Sequence, residues 1–142
     1  MKEIIYREIA GKIIVNVTPH PITFGTDDGG TITVPCSGII VNAVTIERRI
    51  DDELVTTEFA KSEEDVKQVA RIKKWYESKD EWDGDIFGDG RKPLRIVGSF
   101  IAMNAYPGVI CGMVPLKEFE RVPPDQKRMD PHKFNIALKY GL

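Results

Sequence analysis

The chain is poor in the residues from which most small catalytic and metal centres are built. Two cysteines and two histidines stand among its 142 residues. There is no CxxC, no HExxH and no Cys/His cluster, so the spacing of a zinc site is missing. No GxxxxGK[ST] and no strand-linked GxGxxG occurs, which removes the common phosphate loops. No apolar run approaches the ~18 residues that a membrane helix needs. Met1 to Glu8 puts charges where a leader would be apolar, so no signal peptide and a cytoplasmic location are expected. In that reducing setting Cys36 and Cys111 are expected as buried thiols rather than as a disulfide. No metal and no cofactor is implied.

An excess of either charge sign is also lacking. Twenty Lys and Arg face 22 Asp and Glu, for a net charge of −2. Long nucleic acid calls for a broad basic surface, and that partner is excluded. The balance is uneven along the chain, however. Residues 1–90 carry 11 basic and 18 acidic side chains, or −7, whereas residues 91–142 carry 9 and 4, or +5. The length fits a single domain over 1–142 with a core large enough to fold unaided.

What is present reads as α+β: a mainly antiparallel sheet, one long helix over about 62–79, and short C-terminal helical segments. Strands are predicted over 4–9 and 12–17 around Ala10-Gly11, with Ile13, Val15 and Val17 on the buried face. Further strands are predicted over 22–25, 31–34, 40–50 and 53–59. Thr18-Pro19-His20-Pro21 is a rigid break, because each proline fixes φ and lacks an N–H. Ser62 with Asp65 forms a capping-box pattern, and Glu63, Glu64 and Asp65 suit the helix N-terminus. Residues 94–97, 100–106 and 109–114 read either as strand–helix–strand or as one hairpin turning at Pro107-Gly108. Pro123-Pro124 opens a short turn or helix over 125–129, and residues 134–138 form a last apolar run.

Each candidate site has a plain structural alternative. Asp83, Asp85, Gly88 and Asp89 resemble part of a calcium loop, but Phe87 and Leu94 fall where oxygen ligands belong, so a solvated loop over 80–92 is expected. Glu81, Asp83 and Asp85 could instead serve as catalytic carboxylates, though no partner base is visible. His20, with Asn16 at the strand end before it, could hold an imidazole against a ligand, or simply bond nearby backbone. His132 is expected to cap or close a turn. A Cys–His nucleophile pair has the residue types but no supporting spacing. Arg121, Lys127 and Arg128 flank the Pro-Pro stiffener. Guanidinium and ammonium groups on a rigid loop suit phosphate, while Glu118, Glu120, Asp125 and Asp130 offer local ion pairs instead.

Three stretches taken together carry a resemblance. They are Val15 to Ile22 with its N-x-TPHPI pattern, Ile32 to Gly38 with its Pro-x-Ser-Gly turn, and Val97 to Pro124 leading into RVPP-x-x-KRM. They resemble small proteins encoded by phages and prophages, over residues 13–40 and 96–135. Within that group the chain is similar to the Thoeris anti-defence sponges. That resemblance implies an oligomeric α+β protein that sequesters a cyclic ADP-ribose-type signal without catalysis. For such a small anionic nucleotide, the residue chemistry would make Arg121, Lys127 and Arg128 the phosphate contacts and Tyr106 or Phe134 the stacking surface. A homo-oligomer is expected, since the N-terminal strand leaves an edge to cover. Two alternatives stay open. One is a small phage enzyme acting on a nucleotide-like substrate through His20 or an acidic-loop carboxylate. The other is a structural or partner-binding phage protein.

Overall fold

The computed structural model describes residues 3–79 and 92–138. Seven strands form one sheet: β1 (Arg7–Ile9), β2 (Lys12–Asn16), β3 (Ile22–Gly25), β4 (Thr31–Val34), β7 (Leu94–Val97), β8 (Ile110–Pro115) and β9 (Met129–Asn135). Their spatial order is β1-β2-β7-β8-β9-β3-β4. A separate hairpin pairs β5 (Val44–Arg49) with β6 (Val55–Ala60). Counting the hairpin, four strand pairs are antiparallel and three are parallel, the parallel ones being β2·β7, β7·β8 and β3·β9. Two helices complete the fold, α1 (Glu63–Glu77) and α2 (Phe100–Ala105). Residues 94–115 are therefore strand–helix–strand, with α2 crossing between parallel neighbours β7 and β8.

Alternation along the central strands sorts the core into two layers. Ile13, Val15, Ile96 and Ile110 face α1 and α2, where they meet Val69, Ile72, Ala102 and Ala105. Ile14, Val97 and Cys111 face the other way, onto Ile22, Phe24 and Val34, with Phe134 and Met113 at the margin. Strand β2 is therefore buried on both faces, not on the Ile13/Val15 face alone. The second layer closes because the sheet curls back on itself. Past β4, Cys36 bridges to Asn16, the Ser37 N–H donates to the Asn16 carbonyl, and the Val41 N–H donates to the Val17 carbonyl. That crossing occupies residues 36–42, so the strand expected from 40 begins only at Val44.

Local chemistry sets the helix ends. Ser62 caps α1 by accepting from the Asp65 N–H at 3.1 Å, and Ser99 caps α2 by accepting from the Ala102 N–H. The Asp65 carboxylate does not return to the cap. It accepts the Asn42 N–H at 3.2 Å and so ties α1 to the segment leading into β5. Two glycines are fixed by close packing. A methyl on Gly98 would lie 2.8 Å from Ile110 Cγ2, and one on Gly25 would run into the side-chain end of Leu116. No helix among the described residues is long and apolar enough to cross a membrane.

Candidate functional site

Asn16 is the most engaged of the predicted site residues. It is fully buried on the strand-lined face of β2. Its Nδ2 donates to the carbonyls of His20 (2.7 Å) and Val34 (3.1 Å). Its Oδ1 accepts from the N–H and Oγ1 of Thr18, at 2.8 and 2.7 Å. An amide offers two donors and two acceptor sites, and the fold uses all four. Asn16 thus fastens the Thr18-Pro19-His20-Pro21 break to both β2 and β4. His20 contributes its backbone to this network, and its side chain lies on the surface.

The aromatic candidates fall in different layers. Tyr106 is 3% exposed and packs in the helix-side core, with Lys61 Nζ 5.2 Å from its ring centre. Burial, and then the charge of Asp65, push its hydroxyl above the usual tyrosine range. That hydroxyl has no hydrogen-bond partner among the described residues. Phe134 packs at the margin of the other core, its ring centre 6.1 Å from that of Phe24. The sheet lies between these two rings, so they do not line one site.

The cations share a single excursion between β8 and β9. The Leu116 N–H donates to the Arg128 carbonyl at 2.8 Å and closes its base. Inside are two 3₁₀ turns, Lys117–Phe119 and Pro124–Gln126. Lys127 Nζ donates to the Glu120 carbonyl at 2.6 Å, and the Arg128 guanidinium lies 4.7 Å from the Phe119 ring centre. Both cations therefore brace the excursion itself. Arg121 is exposed and makes no hydrogen bond or ion pair among the described residues. Beside this excursion lies a cleft of about 480 Å³ lined by Val114, Pro115, Lys117, Glu120, Asp130 and Lys133. Sequence reasoning missed Lys117 and Lys133, although both belong to the +5 stretch. A strand was the missing clue. Residues 129–135 form β9, which carries Asp130 and Lys133 to the cleft wall, where only an apolar run over 134–138 was expected.

The nucleophile reading finds little support in the geometry. Cys36 and Cys111 are free thiols. Burial pushes the Cys111 thiol up, opposite to the lowered range of an activated nucleophile. His132 does close a turn, through its N–H to Asp130 Oδ1 at 2.8 Å. Its Nε2 also reaches Asp27 Oδ1 at 2.9 Å, clamping β9 to the β3–β4 turn. Glu81, Asp83, Asp85, Gly88 and Asp89 lie outside the described residues, and no metal-binding cluster is found within them. A second cleft, of about 600 Å³ and more apolar, lies between Ile4 and the Ala70–Trp75 face of α1 and contains none of the predicted site residues. Comparison with protein-family models, curated proteins and solved structures finds no match to this chain.

Proposed function

We propose that this is a phage-type, non-enzymatic binding protein that sequesters a small anionic, nucleotide-derived ligand of the cyclic ADP-ribose class. The observation that carries the reading is the cleft beside the 116–128 excursion. Its volume of about 480 Å³ lies within the ordinary range for small-molecule sites. Lys117 and Lys133 on its walls, with Arg121 free on the adjoining loop, supply three cations for a diphosphate. Glu120 and Asp130 on the same walls suit the hydroxyls and amino groups of a ribose or a base. Lys127 and Arg128 hold the loop in shape, which lowers the entropy lost on binding. The motif resemblance supplies the ligand class.

Calorimetry with a panel of cyclic ADP-ribose isomers, ADP-ribose and inorganic phosphate tests this directly. One nucleotide is expected to bind and to be recovered unchanged after heat release. The double substitution Lys117→Glu with Lys133→Glu should weaken that binding by at least tenfold while leaving the fold intact. Absence of binding across the panel, or conversion of the nucleotide, overturns the reading.

A further inference from the structure

The β5–β6 hairpin stands apart from the two cores. Every residue of β5 and the first four of β6 are exposed, and only Phe59 and Ala60 at its base are half-buried. Phe59 packs onto the helix-side core, and α2 lies against β6. Toward the tip, Ile50 is 62% exposed and Leu54 59%. An isolated two-stranded ribbon is marginal in water and needs further strands or packing. Both outer edges are unpaired among the described residues.

The two edges differ. Strand β5 carries Glu47, Arg48 and Arg49, the charges by which edge strands usually deter pairing, whereas β6 carries Glu58 alone. The outward groups of β6 can be assigned. The Ile50 N–H donates to the Leu54 carbonyl at 2.8 Å. Bonded and non-bonded pairs alternate along an antiparallel ladder, so Arg48 with Thr56 and Ile46 with Glu58 are bonded pairs. Val55, Thr57 and Phe59 therefore turn their N–H and C=O groups outward.

We infer that the free edge of β6 pairs antiparallel with β6 of a second copy, about a two-fold axis at Thr57, to form a four-stranded intermolecular sheet. Two-fold registers that use the outward groups and keep most of the strand centre on Thr57 or on Glu58. The Glu58 register sets the two Glu58 carboxylates opposite each other and is disfavoured. The Thr57 register sets Thr57 against Thr57 of the partner subunit, Val55 against Phe59 of the partner subunit, and Thr56 against Glu58 of the partner subunit. Just beyond the strands it sets Glu53 against Lys61 of the partner subunit, and symmetry repeats that opposite-charge pair. Antiparallel pairing also brings each tip, with its exposed Ile50 and Leu54, toward the base of the other hairpin. There α2 offers Phe100, 69% exposed, and Ile101, 40% exposed.

Sedimentation of the full chain is expected to give a species of twice 16.0 kDa. Glu53→Lys should weaken the dimer about tenfold, and adding Lys61→Glu should restore most of the loss. Thr56→Cys with Glu58→Cys should cross-link two chains under oxidation, because these positions face each other in a non-bonded antiparallel pair, where side chains come closest. Glu47→Cys, across the hairpin on the guarded edge, should not. A wild-type monomer at 100 µM overturns the inference, as does a dimer indifferent to charge reversal at Glu53 and without cross-linking of the Thr56→Cys/Glu58→Cys chain. Association with a host protein in place of a second copy also overturns it.

Discussion

Strands β2 and β6 are both short and rich in β-branched residues, yet they have opposite fates. In β2 both faces are buried, with Ile13 and Val15 under the helices and Ile14 and Asn16 in the curl of the sheet. In β6 neither face is covered until Phe59. Composition does not separate them. What separates them is the number of neighbours that the topology supplies. Strand β2 lies between β1 and β7 and receives the 36–42 crossing at its end, while β6 has β5 alone among the described residues. A buried polar residue such as Asn16 is tolerable only in the first setting, where a partner exists for every hydrogen-bonding group. The exposed edge of β6 is useful only in the second.

The sharpest test of this contrast is Asn16→Ala. It removes the four side-chain hydrogen bonds that fasten the Thr18–His20 turn to β2 and β4 and leaves a cavity in the closed layer, so a loss of about 3 kcal/mol is expected. A fall in melting temperature on the order of 10 °C would register it. A neutral outcome would mean that the closed layer is less tightly specified than its hydrogen bonds imply. Next in size is Gly25→Ala, whose new methyl would collide with Leu116. Leu116 is half-buried and its end methyl can swing aside, so the cost falls at the low end of overpacking, about 1 kcal/mol. With Leu116→Ala in the same chain the two effects should fall short of additive, and a double-mutant cycle by denaturant titration measures the coupling.

The smallest expected effect lies at the hairpin tip. Asp51 Oδ1 accepts the N–H groups of Glu53 and Leu54, both at 2.8 Å, and these bonds hold its carboxyl below the ordinary aspartate value. A folded-state value below the unfolded one gives stabilisation that is present above about pH 3.9 and is lost as pH falls through the folded value. Carboxylate chemical shifts followed from pH 6 to 2 should show Asp51 titrating below the ordinary aspartate value. Asp51→Ala should speed amide exchange in β5 and β6 and leave the seven-stranded body unchanged. A body that loosened with the hairpin would erase the distinction between the two regions.

Much of this fold can be read from the residues, because short-range chemistry decides it. Ser62 and the acidic first turn announce α1, and Asp27-Asp28-Gly29-Gly30 announces the turn between β3 and β4. Strand β9 was hidden because Met129–Asn135 has no apolar alternation and contains Pro131. Its pairing is imposed by β8, with Phe134 opposite Met113, and by β3, with Met129 opposite Phe24. The cleft shared this obscurity, since half of its charged lining comes from β9. The cation loop was visible as a +5 stretch with a Pro-Pro stiffener. Which of its cations brace the loop and which stay free depended on Phe119 and on the Glu120 carbonyl, and spacing alone does not reveal either.

The parallel seam that joins β2 to β7 sets Ile13 beside Leu94. Contacts so distant along the chain form slowly, and during synthesis the body cannot zip until its last third has left the ribosome. A hairpin closes locally in about 1–10 µs. The β5–β6 ribbon therefore forms and melts repeatedly while the body is still open, and each time β6 offers its bare edge to neighbouring nascent chains before there is a finished molecule to present it. Nascent chains of this protein on one message would meet first through that edge, so assembly and misassembly would begin at the same six residues.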